Sequence, residues 1–205
     1  MNKLFSGLGK KTQTKKPVIV VSGLPRSGTS MMMKILSEGG LPIVTDELRS
    51  ADEDNPNGYF ELETVKQMST GNVAWLSDAG GKVVKVISAL LEFLPADHTY
   101  KIIFMEREIK EILASQQKML ARRNKTSQVS DAEMEQQFRK HLSVIKPWLI
   151  RQPNMEVLYV SYNGLISEPD PLCRRVVEFV GLDLDLSKML AVPSRELYRN
   201  RAPGS

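Results

Sequence analysis

A short β-branched run that ends in a glycine turn constrains this chain more than any other feature. Pro17-Val-Ile-Val-Val-Ser22 is bounded by proline and glycine and has the make-up of a strand buried on both faces. Gly23-Leu-Pro-Arg-Ser-Gly-Thr-Ser30 follows it. Thr29 then opens a helical segment, 29–37, that stops at Gly39-Gly40. A strand, a glycine turn and a helix in that order aim backbone N–H groups at one spot, where the helix dipole adds partial positive charge. Gly28 lets an anion approach the backbone closely. The turn has the form of a phosphate loop.

It is not the loop of an ATP or GTP enzyme. That version, G-x-x-x-x-G-K-[ST], needs a lysine after the second glycine to reach the β and γ phosphates. Here that position is Thr29, and a cation stands three residues earlier as Arg26. Such a loop suits a 5′-phosphate carrying something other than a polyphosphate tail, with Arg26 arching over it.

The rest of the chain alternates strands with helices. Strands are expected over 83–87, 100–105 and 155–161, and helices over 62–76 and 108–122. Ser130-Asp-Ala-Glu133 has capping-box spacing and opens a long helix ending near Pro147 or Arg151. Asp170-Pro171 starts another, with proline at its first position and Gly181 closing it. Residues 41–59 are acidic and turn-prone. This pattern predicts one α/β domain, a central parallel sheet flanked by helices, with its crevice at the carboxyl ends of the strands.

Composition narrows the function. Five of the 28 basic residues lie in residues 1–16, which hold no acid; the other 23 face 24 acids, so residues 17–205 carry about −1. The excess charge therefore sits in a basic tail ahead of the domain, which argues against a nucleic-acid-binding body. One cysteine, Cys173, excludes a disulfide framework, and two histidines, His98 and His141, leave little for a histidine-rich metal centre. No apolar run reaches the roughly 18–20 residues a membrane span needs, and the start lacks the apolar stretch of a secretory signal. A cytoplasmic protein is expected.

Pro25-Arg-Ser-Gly-Thr-Ser30 resembles the phosphosulfate loop, P-[KR]-S-G-T-[ST], of sulfotransferases that use 3′-phosphoadenosine 5′-phosphosulfate (PAPS). The resemblance implies a P-loop NTPase-like sulfotransferase fold and a 5′-phosphosulfate held by Arg26, Ser27, Gly28, Thr29 and Ser30. The family holds the 3′-phosphate with an arginine at a strand end and a serine eight residues later, which here are Arg107 and Ser115. A planar guanidinium and a hydroxyl are a sensible pair for a phosphate monoester. Between them the family's R-x-P-x-D has become Arg107-Glu-Ile-Lys-Glu111. Val157-Leu-Tyr-Val-Ser-Tyr162 is similar to the segment whose tyrosine lines the nucleotide, with Asn163 and Gly164 replacing the usual acidic pair. Leu197-Tyr-Arg-Asn-Arg201 supplies late arginines like those the family closes over the 3′-phosphate.

Sulfuryl transfer also needs a base and a cation at the sulfonate. The family's K-T-H segment survives only as Lys85-Val-Ile87, so the histidine is gone and a carboxylate must act. Asp46-Glu47-Leu48-Arg49 resembles the E-E-T-R of tyrosylprotein sulfotransferases and makes Glu47 the first candidate base. Glu61, in Asn55-Pro-Asn-Gly-Tyr-Phe-Glu61, is the competitor, from a segment like the N-P-x-G-Y-F-E of bacterial sulfotransferase-like proteins. Arg26 and Lys85 are the expected catalytic cations, and the scheme requires no metal. A hydroxyl-bearing acceptor is implied, with its pocket built from 41–76 and 118–149. Met119, Met134, Trp148 and Leu149 read first as core, with an acceptor wall or a homodimer surface as alternatives. Two other functions stay open: an ATP-dependent small-molecule kinase with a degenerate loop, and a non-catalytic nucleotide-binding member of the fold.

Overall fold

The computed structural model describes residues 16–46 and 58–193. The tail before Lys16, Glu47 with Arg49, and the late arginines lie outside the described residues. The described residues form one four-stranded sheet of β1 (Val18–Gly23), β2 (Val83–Lys85), β3 (Tyr100–Glu106) and β4 (Met155–Ser161). All pairings are parallel and the order is β2-β1-β3-β4. Its helices are α1 (Thr29–Glu38), α2 (Ile109–Arg122), α3 (Asp131–Ile150), α4 (Tyr162–Ser167), α5 (Pro169–Val180) and α6 (Leu186–Leu190).

The two-residue period of a strand divides the apolar side chains between two cores. Ile19, Val21, Ile103, Met105 and Val160 pack with Met32, Ile35 and Leu36 of α1, Cys173 and Val176 of α5, and Met189 of α6. Val18, Val20, Ile102 and Phe104 face the other way, onto Val65, Leu91 and Ile145 and Leu149 of α3. Every residue of β1 is buried, which is why that segment reads as an unbroken apolar run.

β1 lies between β2 and β3, so the chain leaves it to one side for β2 and later returns on the other for β3. That is a topological switch point, and the crevice it opens lies past the carboxyl end of β1. The glycine turn occupies this place.

Four expectations need correction. Residues 62–76 are not an α-helix but two 3₁₀ turns, Glu63–Thr70 and Ala74–Asp78. Leu62, Val65 and Met68 recur every three residues, the 3₁₀ period, and Gly71 at φ 87° ends the first turn. β2 stops at Lys85, because the chain turns at Ile87 into a 3₁₀ segment, Ser88–Phe93. α5 begins at Pro169, one residue before the expected Asp170-Pro171 start, and Gly181 closes it at φ 71°. α4 and α6 were not foreseen; each is short and capped by a side chain, Ser161 and Asp185 respectively. The capping box of Ser130 and Glu133 is present, and α3 carries Pro147 inside it on the way to Ile150.

Candidate functional site

The loop between β1 and α1 is shaped by two glycines at positive φ, each in close contact with a neighbour. Gly23 has φ 144°, and a Cβ there would lie 2.5 Å from Ser27 Oγ and 2.7 Å from the Met105 carbonyl oxygen. Gly28, the residue before α1, has φ 101°, and a Cβ there would lie 2.4 Å from Cδ2 of Tyr162. The first turn of α1 holds no acid, so its dipole is not offset from within the helix. Ser27 is buried, and its Oγ has no hydrogen-bond partner among the described residues.

Arg26 adopts φ 68°, a left-handed conformation uncommon for a residue with a side chain. Its Nε donates to Ser115 Oγ at 3.0 Å, and its carbonyl accepts from a terminal nitrogen of Arg107 at 3.2 Å. Arg107 follows β3 directly, and Ser115 lies on α2 after two helical turns. The eight-residue spacing therefore brings both to one place beside the loop. Arg107 Nε donates to Glu111 at 2.9 Å, and its guanidinium lies 4.2 Å from the centre of the Tyr162 ring. The side chains of Arg107 and Glu111 are 5% and 1% exposed. Glu111 also accepts from Asn163 Nδ2 at 3.2 Å. Burial raises the Tyr162 phenol above its ordinary pKa, opposed by Arg107, so Tyr162 stays neutral near pH 7.

A second group gathers at the other side of the turn. Lys85 ends β2 with its side chain 9% exposed. Its Nζ donates to Ser30 Oγ at 3.3 Å and to the Tyr59 carbonyl, and lies 3.9 Å from a Glu61 carboxylate oxygen. Thr45 Oγ1 donates to the Glu61 carbonyl at 2.8 Å, tying the segment before the undescribed stretch to the one after it. Phe60, at φ 48°, turns the backbone so that Tyr59 and Glu61 both face Lys85. A cavity of about 70 Å³ lies next to the loop, lined by Leu24, Ser27, Arg107, Leu142 and Lys146 among others.

The geometry thus gathers Arg26, Ser27, Gly28, Arg107, Ser115 and Tyr162 on one side and Ser30, Lys85 and Glu61 on the other. Thr29 is the first residue of α1, between the two. Glu47 lies outside the described residues. Two contributors were missed from sequence: Glu111, which fixes Arg107, and Asn163, which steadies Glu111. The i,i+4 spacing of Arg107 and Glu111 was the available signal for the first; nothing local signals the second. Among the described residues no group of three or more His, Cys, Asp or Glu side chains could hold a metal ion. No helix among them is long and apolar enough to cross a membrane.

A glycine turn at the switch point of a parallel sheet, flanked by largely buried cations, defines an α/β protein of the P-loop-like kind. More specifically, the chain belongs to the sulfotransferase domain family, which matches it over residues 16–197. No curated protein matches the sequence. Among solved structures, the sulfotransferase domain from the curacin biosynthetic pathway is 14% identical with a TM-score of 0.50, covering 85% of this chain and 77% of that one. A mouse sulfotransferase complexed with PAP is 13% identical, with a TM-score of 0.49 over 92% of this chain and 67% of its own. An unliganded sugar kinase from Janibacter sp. HTCC2649 is 16% identical with a TM-score of 0.42, covering 86% of this chain and 98% of that one. At 14% identity the likeness to the curacin-pathway domain speaks to the fold alone.

Proposed function

We propose that the chain transfers a sulfuryl group from PAPS to a hydroxyl or amine acceptor. One observation carries this reading: the glycine turn and the Arg107/Ser115 pair, more than eighty residues apart in sequence, are hydrogen-bonded into one cluster. A nucleotide phosphorylated at both ends of its ribose uses both halves of that cluster. A linear triphosphate needs only the first half, and needs a lysine where Thr29 stands.

In this reading the amides of the turn, with the Ser27, Thr29 and Ser30 hydroxyls, hold the 5′-phosphosulfate. The unpartnered Ser27 hydroxyl gains a partner in a phosphate oxygen. Arg107 and Ser115 hold the 3′-phosphate, Tyr162 lines the nucleotide, and Arg26 is the cation of the loop itself. The acceptor oxygen forms a bond to sulfur as the bond from sulfur to the 5′-phosphate oxygen breaks, and that oxygen keeps the electron pair. Lys85, beside Ser30, stabilises the charge that gathers there. The acceptor's proton goes to a carboxylate. Glu61 is our choice because it stands 3.9 Å from Lys85 Nζ; Glu47 is the alternative its motif offers.

Thermal melting with adenosine 3′,5′-bisphosphate against ADP plus Mg²⁺ tests the donor. A ligand that binds only the folded state adds about 2.7 kcal/mol at about 100 times its Kd. The bisphosphate is expected to stabilise the protein; stabilisation by ADP alone contradicts the reading and favours a kinase. With PAPS and a panel of hydroxyl and amine acceptors, Glu61→Gln is expected to keep nucleotide affinity and lose turnover. Full turnover in Glu61→Gln beside a dead Glu47→Gln assigns the proton to Glu47.

A further inference from the structure

α2 is tied to the crevice at two points. Near its middle, Ser115 accepts from Arg26 of the glycine turn; at its carboxyl end, Arg123 donates to the Tyr59 hydroxyl at 3.1 Å. The Tyr59 carbonyl in turn accepts from Lys85, which ends β2. β2 and β3 flank β1, so the helix that leaves β3 reaches across the carboxyl end of β1 to the β2 side. Its first half stands with Arg107 and Glu111, and its second half ends beside the Lys85 group.

That second half is basic. Between Glu111 and Asp131 the chain has Lys118, Arg122, Arg123 and Lys125 and no acid, and all four cations are exposed. Cations in the last turn suit the negative end of the helix dipole. Lys118 lies a full turn earlier, however, and stacks on Arg122 at i,i+4, where like charges work against the helix. No acid stands three or four residues from either one. Helix stability therefore does not explain the run.

We infer that the acceptor carries an anionic group of its own, and that Arg123 receives this group while the acceptor's hydroxyl or amine lies by Lys85. The inference rests on the sulfuryl transfer proposed above and names its substrate class. A guanidinium matches the oxygens of a carboxylate, phosphate or sulfate, and the exposed Lys118, Arg122 and Lys125 add a field that draws such a group in. Tyr59 is a positioning residue. It is 7% exposed, its hydroxyl accepts from Arg123 and its carbonyl from Lys85. One buried residue therefore sets the span between the atom to be sulfated and the charge that is recognised.

Titration of the full chain, saturated with adenosine 3′,5′-bisphosphate, with two matched pairs of hydroxyl compounds tests this: p-hydroxyphenylacetate against its amide, and glucuronate against glucose. In at least one pair the wild type is expected to bind the anion about tenfold more tightly, the size of one charge-assisted hydrogen bond. Arg123→Gln should abolish that preference without weakening the neutral partner or the bisphosphate, and Arg123→Glu should turn it toward tyramine. Tyr59→Phe, which keeps the ring, should lower the preference part of the way and leave neutral binding as it was. Equal affinities within both pairs, or no binding of either anion, overturn the inference alone when the bisphosphate binds. A preference that survives in Arg123→Gln also overturns it. A wild type that does not bind the bisphosphate overturns the sulfuryl-transfer reading and the inference with it. Ligand-free melting of each variant separates lost binding from lost folding.

Discussion

The two halves of the proposed phosphate site are made of different material. The glycine turn is backbone: Gly23 and Gly28 hold positive φ, and their missing Cβ atoms leave room for Ser27 and Tyr162. The β3–α2 half is side chain: Arg107, Glu111 and Asn163 form a hydrogen-bonded set, and Ser115 nearby accepts from Arg26 Nε. A backbone site is insensitive to most substitutions and intolerant of a few. A side-chain site can be retuned residue by residue, but each charge in it depends on its partner staying in place. In the proposed function the first half therefore meets a feature common to many nucleotides, and the second a feature that distinguishes them.

Arg107→Ala carries the largest expected effect. It strips a buried carboxylate, Glu111, of its guanidinium, and breaking a buried pair from one side costs about 3–5 kcal/mol of stability. Adding Glu111→Gln to that variant removes the stranded charge and should recover part of the loss in a urea titration. No recovery would mean that the second half is not held by the charge pair. Gly28→Ala comes next. It forces a side chain into φ 101° and a Cβ against the Tyr162 ring, a strain of about 1–3 kcal/mol. Both bisphosphate and monophosphate should lose affinity together, since the shared half is damaged. Selective loss of the bisphosphate alone would erase the distinction between the halves.

The smallest effect lies away from both. His141 Nε2 is 2.9 Å from Ser88 Oγ, and burial lowers the imidazole's pKa below its ordinary value, against the nearby Glu92. The unfolded chain then binds more protons than the folded one, so stability is complete above about pH 6.5 and falls as the pH drops below it. His141→Gln should flatten that slope in melts from pH 7.5 to 5, while leaving nucleotide selectivity unchanged. A change in selectivity would tie α3 to the phosphate site.

Much of this was legible in the sequence. The strand, turn and helix from Pro17 to Glu38 are a local signal, set by β-branched residues and by glycine where φ must be positive. The capping box at Ser130 also depends only on spacing within an element. What escaped depends on distant partners. The three-residue period of Leu62, Val65 and Met68 looks helical until the sheet beneath it is known. The links of Arg26 to Ser115 and of Lys85 to Glu61 cross 89 and 24 residues and follow from strand order, which no local pattern encodes. Asn163 stands where an acid was expected, and only its contact with Glu111 gives the amide a role.

The most direct measurement is a crystal structure with adenosine 3′,5′-bisphosphate bound. The 5′-phosphate is expected on the glycine turn at the start of α1 and the 3′-phosphate against Arg107 and Ser115. A nucleotide seated on the glycine turn with its 3′-phosphate in solvent and Arg107 still paired only to the protein would contradict it.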